Sequence, residues 1–167
     1  TIVKQAAIFC FVYFTWIFFR AATVTDAWSN VRGWHDRMLR ACFSLHVGQE
    51  VDHAGDGFFV AFASPQAALR CAIAIQQGLA THRSEHGFAP QVRIGVHSAE
   101  ALKSASGFTG KGVHEAARIA AAAGAGEIIA SRSTLSAGGD VFGYSSARVI
   151  ELKGLSAPLA VATVEWR

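Results

Sequence analysis

Glu50-Val-Asp-His-Ala-Gly-Asp-Gly-Phe-Phe-Val-Ala-Phe62 is the stretch on which the fold turns. Ala54-Gly55-Asp56-Gly57 reads as a tight turn, because Asp-Gly favours the positive φ angles of short hairpin connections. Residues 49–53 before it predict a short strand. Phe58-Phe59-Val60-Ala61-Phe62 after it is apolar at every position. A strand with no polar face must be covered on both sides, so layers are needed above and below this hairpin.

Downstream, Ser64-Pro65 starts a helix, with serine as cap and proline at the first helical position. Ala67, Ala68, Cys71, Ala72, Ile75 and Leu79 form its apolar stripe. Residues 81–90 are polar and predict a loop. Val92, Ile94 and Val96 alternate with Arg93, Gly95 and His97, a strand with one face in the core. A Ser/Gly-rich loop is expected over 99–111 and a helix over 112–123. A strand at 127–130, a short helix at 131–136 and a closing hairpin of 141–153 with 159–165 complete the chain.

Upstream, Asp26 is placed to cap a helix over 26–46. Trp28, Val31, Trp34, Met38, Cys42 and Leu45 lie along one face of it, and Gly48 is its stop. Before that, residues 6–19 form an apolar run between Lys4 and Arg20. It is shorter than the ~20 residues of a membrane span and longer than the usual strand of about 5–6. Arg20-Ala-Ala-Thr is a poor leader cleavage site. Three readings stay open: a buried first strand with a flanking segment, the stub of a membrane or interfacial anchor, or a corrupted stretch of the gene. The expected organisation is therefore an atypical segment 1–25 followed by one domain, 26–167.

With the first run as a strand, the order is β-α-β-β-α-β followed by α-β-β. That is an α+β fold with a ferredoxin-like core and a C-terminal extension. Of the 167 residues, 51% are hydrophobic and 16% charged, which excludes a disordered chain. The net charge is +3 and the basic residues are scattered, so no nucleic-acid-binding arm is present. Cys10, Cys42 and Cys71 are odd in number and lack metal-ligand spacing. They read as small buried hydrophobes of a reducing, cytoplasmic compartment.

Five motifs in register over the chain from Asp26 onward resemble the catalytic domain of class III adenylate and guanylate cyclases. Glu50 to Phe62 resembles the family's metal-binding hairpin, and Val92-Arg-Ile-Gly-Val-His97 its next core strand. Gly110-Lys-Gly-Val-His-Glu-Ala-Ala-Arg118 resembles the helix written G-x-x-V-N-x-A-x-R. Gly126-Glu-Ile-Ile-Ala-Ser131 and Glu151-Leu-Lys-Gly154 follow in the expected order.

The resemblance implies a reaction, partners and site residues. Such domains convert ATP or GTP to a 3′,5′-cyclic nucleotide and pyrophosphate, using two Mg²⁺ or Mn²⁺ ions at the interface of a head-to-tail homodimer. It places a metal-binding aspartate at Asp56, with Gly55 and Gly57 letting backbone approach the nucleotide. It places the transition-state arginine at Arg118 and a phosphate-gripping lysine at Lys153. Elsewhere the chain departs from the pattern. The first metal aspartate falls at Trp16, in Phe14-Thr-Trp-Ile17. The ribose-orienting asparagine is His114, which still offers a hydrogen bond. The base-reading lysine is Asp52, the base-reading aspartate falls at Gly107, and a glycine usual after the His97 strand is Ala99. The departures together keep a second reading open: a cyclase-homology module that serves dimerisation or regulation without catalysis.

Overall fold

The computed structural model describes residues 3–14, 25–54, 57–104, 107–109, 111–139, 141–151 and 158–167. Twelve elements follow in the order β1 (Val3–Phe14), α1 (Thr25–Leu45), β2 (Gln49–Ala54), β3 (Gly57–Phe62), α2 (Pro65–His86), β4 (Val92–Ser104), β5 (Gly107–Thr109), α3 (Lys111–Ala122), β6 (Ile128–Ser131), α4 (Arg132–Gly138), β7 (Arg148–Ile150) and β8 (Leu159–Thr163). They build one mixed sheet in the order β2-β3-β1-β4-β6-β8-β7, with β5 hydrogen-bonded to β4. The first four strands of that order are the ferredoxin-like core. β6 adds parallel to β4, and β8 and β7 close the far edge antiparallel.

β1 occupies the middle of this core. It pairs antiparallel with β3 from Ile8↔Phe62 to Tyr13↔Gly57 and with β4 from Val3↔Lys103 to Phe14↔Val92. Over Ile8–Tyr13 both of its edges therefore meet backbone partners. No helix among the described residues is long and apolar enough to cross a membrane.

Alternation along the strands sorts the core into two sides. Phe58, Val60 and Phe62 join Val92, Ile94, Val96, Ile128 and Ala130 under α1 and α2. Phe59 and Ala61 face the other way, against Ala116 and Val113 of α3. Ile119, Ala123, Ile129 and Val161 continue that second layer. The all-apolar β3 is thus covered on both faces, as its composition requires.

Ser64 caps α2 by accepting the Ala67 N–H at 3.2 Å, with Pro65 in the first turn. Ala68, Cys71, Ala72, Ile75 and Leu79 are buried along it. The expected loop at 81–90 is corrected: the helix continues to His86. His82 stacks on Trp34 of α1 and His86 stacks on His82, which holds the extra turn against the neighbouring helix. Gly87 then ends it at φ 76°, a left-handed position that glycine adopts without strain.

The expected loop at 99–111 is also corrected. β4 runs on to Ser104 and folds back through β5, with Leu102↔Thr109 and Ser104↔Gly107 in register. Small and polar residues here extend a strand because β1 supplies backbone partners as far as Lys103, so tertiary pairing overrides composition. α1 begins at Thr25, making Asp26 its second residue and not its cap. Its buried line is His35, Leu39 and Phe43, one residue from the expected stripe, and Leu45 is exposed. Cys71 is fully buried and Cys42 packs beside Met38 in the same layer; the Cys10 side chain lies outside the described residues.

α3 approaches β4 closely. A Cβ on Gly95 would collide with the backbone of Ala120, and one on Gly112 would collide with the Ala99 methyl. Two glycines therefore set the distance between helix and strand.

Two outcomes follow from this packing. At an ordinary helix position Gly→Ala stabilises by about 1 kcal/mol. Gly112→Ala should instead destabilise by roughly 1–3 kcal/mol through overpacking, and should become stabilising in an Ala99→Gly background. Chemical denaturation of the two single variants and the double variant measures this reversal. Burial pushes the His35 imidazole down to about 3. Its folded value lies below its unfolded one, so the stability it favours is present above about pH 6.5 and lost as pH falls from there. Thermal unfolding should show the parent losing ground to His35→Leu between pH 6.5 and 4, with the gap closing above pH 7.

Candidate active site

Three strand ends meet at one end of the sheet. Gly57 opens β3 and pairs with Ala54 of β2 on one side and Tyr13 of β1 on the other. The register leaves two residues, Gly55 and Asp56, between the arms of the hairpin. Those two, Trp16 beyond the end of β1, and Lys153 lie outside the described residues.

Asp52 sits on the edge strand β2, exposed, and its carboxylate accepts the His53 N–H at 2.8 Å. The ladder shifts between Glu50 and Asp52, a bulge of the kind that re-aims side chains. Behind it the hairpin is anchored. The His53 ring stacks on Phe58 at 4.2 Å, and the Arg40 guanidinium lies 5.0 Å over the same ring. Arg40 also makes a two-pronged ion pair with Glu50 at 2.9 and 3.1 Å, which ties α1 to β2 in the geometry arginine favours. The hairpin is therefore fixed by aromatic stacking and one fork, while Asp52 stays turned to solvent.

α3 carries the second group of candidates. His114 and Arg118 are four residues apart and share one side of the helix. His114 is exposed and Arg118 half-buried. Among the described residues neither has a hydrogen-bond or ion-pair partner. Three other arginines are committed: Arg40 to Glu50, Arg83 to the carbonyls of Ala89 and Pro90, and Arg148 to Glu127. Gly107, the other base-reading position, opens β5 opposite Ser104.

A polar cluster beneath α3 was not anticipated from the sequence. His97 on β4 lies 3.1 Å through Nε2 from the Glu115 carboxylate and 2.9 Å through Nδ1 from the Ser131 hydroxyl. Ser131 meets the Thr134 hydroxyl at 2.7 Å, and Thr134 accepts the Ser98 N–H at 2.8 Å. Burial lowers the His97 imidazole below its ordinary range, and the opposing pull of Glu115 does not cancel this. The available sequence signal was a histidine on the face of β4 opposite Val92, Ile94 and Val96. Its partners stand 18 and 34 residues away, which no local pattern reports.

Among the described residues no group of three histidine, cysteine or carboxylate side chains is placed to hold a metal ion. The Trp16 side chain has no oxygen to ligate a metal, so the donor set does not fit a pair of ions bridged by two aspartates.

No family model matches the chain. It is 33% identical over 93 residues to a Rhizobium meliloti (strain 1021) protein named as a candidate adenylate cyclase, covering 54% of this chain and 16% of the relative. It is 29% identical over 99 residues to the serine/threonine-protein kinase pkn2 of Myxococcus xanthus, covering 56% of this chain and 12% of the relative. The chain thus spans a small part of both relatives.

Solved structures match over nearly all of it. The adenylate/guanylate cyclase/hydrolase of Silicibacter pomeroyi superposes with a TM-score of 0.87 at 22% identity, covering 98% of each chain. The guanylate cyclase domain of RhGC from Catenaria anguillulae, in complex with GTP, gives 0.82 at 18% identity over 99% of this chain and 98% of that one. The order of the sheet, its two-sided core and these superpositions agree: this chain has the fold of the class III adenylate and guanylate cyclase domains.

Proposed function

We propose that this chain is a nucleotide cyclase domain that closes a nucleoside triphosphate to its 3′,5′-cyclic monophosphate and pyrophosphate, at an activity lowered by the loss of one metal ligand. The observation that carries the reading is Arg118, a half-buried cation with no partner among the described residues, on a helix packed too closely to shift. A buried or half-buried charge is costly to leave unpaired, and a phosphate from outside the chain would pair it.

In the reaction the ribose 3′-oxygen attacks the α-phosphorus. The bond from that phosphorus to the bridging oxygen breaks, pyrophosphate leaves with the electron pair, and the hydroxyl proton passes to solvent. Arg118 stabilises charge on the phosphoryl oxygens in the transition state. His114 donates a hydrogen bond that orients the ribose, and Lys153 holds the departing phosphates. Asp56 would hold a single Mg²⁺ or Mn²⁺ ion, and the two-ion arrangement is not carried over.

Asp52 bears on the base. A carboxylate only accepts hydrogen bonds. Guanine offers N–H donors at N1 and N2 side by side, whereas adenine presents an acceptor at N1. We therefore propose GTP ahead of ATP. The site forms between two copies arranged head to tail, so that Arg118 of one protomer meets a nucleotide held at the hairpin of its partner. With such a substrate the domain works in the cytoplasm.

A second reading is favoured by Trp16, Asp52, Gly107 and His114 differing together from the resembled pattern. On it the chain is a homology module acting in dimerisation or regulation.

One experiment separates the two. Purified protein is incubated with Mn²⁺ and GTP or ATP, and cyclic product is quantified. Catalysis predicts product from the parent, more from GTP, and loss with Asp56→Ala. It predicts a fall of about 10²-fold or more with Arg118→Ala, and a gain of at least about tenfold with Trp16→Asp. Absence of product from the parent and from Trp16→Asp, in protein that sediments as a dimer, establishes the second reading instead.

A further inference from the structure

We propose that His97 is a positioning residue for α3: a one-directional chain of hydrogen bonds ends on Glu115 and holds the turn that carries His114 and Arg118. This rests on the reading of α3 as part of the nucleotide site, and its structural arm can be tested without it.

The direction follows from which atoms can donate. Glu115, as a carboxylate, only accepts, so the proton at 3.1 Å belongs to His97 Nε2. In the neutral ring Nδ1 is then an acceptor, and the Ser131 hydroxyl at 2.9 Å donates to it. Ser131 has spent its proton, so the Thr134 hydroxyl at 2.7 Å donates to Ser131. Thr134 in turn accepts the backbone N–H of Ser98 at 2.8 Å. Each hydroxyl donates once and accepts at least once. The run starts at a backbone amide, which cannot reverse, and ends at a carboxylate, which cannot donate.

Its course gives it leverage. The chain of bonds begins on β4, crosses to the first turn of α4 and the end of β6, returns to β4 and stops on α3. Ser131 and Thr134 are fully buried and His97 nearly so, so water does not compete for the two bonds at Ser131, and a missing link there leaves a buried polar atom unpaired. Glu115 stands between His114 and Arg118 on one helical turn. Holding its side chain fixes the rotation of α3 about its axis, while Gly95 and Gly112 fix its height above β4. Arg118 presents its guanidinium on a helix that can neither lift nor roll.

The test has two arms on the full chain. In the first, ¹⁵N-detected NMR of the imidazoles should show His97 neutral at pH 7 with its proton on Nε2, and Ser131→Ala should move the Nδ1 signal. Glu115→Ala should speed amide exchange across α3, while Glu115→Gln, whose carbonyl still accepts from Nε2–H, should restore the parent rate. A proton on Nδ1, or α3 exchange unchanged in Glu115→Ala, overturns the proposal. In the second arm, cyclic-product formation by Glu115→Ala should fall about tenfold or more in kcat with KM within twofold of the parent, and Glu115→Gln should recover it. A kcat equal to the parent's overturns the positioning role even where the NMR agrees. A parent that makes no cyclic product defeats the proposed function, and the first arm still decides whether His97 holds α3.

Discussion

A helix backbone lying directly on a strand backbone is the constraint from which the rest of this molecule follows. At Gly95 the strand has no side chain, and the backbone of Ala120 occupies the space where one would stand. At the start of the same helix Gly112 leaves room for Ala99. Between these contacts Ala116 and Ile119 fill the layer against Phe59 and Ile129. Small residues give close approach, and close approach multiplies dispersion contacts that are individually weak. α3 is thereby a rigid platform, and it carries His114 and Arg118, which have no partner among the described residues.

The other candidate elements are held by different means. The hairpin of β2 and β3 has one buried and one exposed arm, so its position depends on the exposed arm being tied down. Phe58, stacked under His53 and beneath Arg40, does this from the buried arm. β1 holds the hairpin from the opposite edge through six register pairs. At the far end of the sheet Glu127 plays a comparable part. Burial alone pushes its carboxyl up, but the Gly124 N–H, the Thr163 hydroxyl and Arg148 together hold it below its ordinary range. One end of the sheet is thus held by aromatic stacking and strand pairing, the other by a carboxylate that draws several elements together.

Much of this was legible in the residues because it is local. The hairpin of β2 with β3, the Ser64 cap with Pro65, and the apolar β3 each follow from chemistry within a few positions. The errors arose where distant partners decide. Residues 99–104 look like a loop until β1 is found opposite them, and residues 81–86 look like one until Trp34 is found beneath His82. The buried line of α1 runs through His35, Leu39 and Phe43 because the sheet meets the helix one residue round from its most apolar side. In the candidate site the His97 chain was not legible, since hydroxyls and an imidazole far apart in sequence become one network only when β4 and β6 lie side by side.

The departures from the resembled pattern bear on function more than on fold. Asp52 and His114 are exposed, and exchanges at exposed positions usually change stability little. A sheet of the same order can therefore persist at about one-fifth identity whatever happens to the chemistry. A buried network is different, because every member must be satisfied for the others to be tolerated. The His97 chain is complete from amide to carboxylate, and it ends one helical turn from Arg118, which has no partner among the described residues. A guanidinium held half inside the fold, with no partner among the described residues, is costly unless an anion from outside the chain meets it. The proposed catalytic reading supplies such an anion, and a purely architectural role does not.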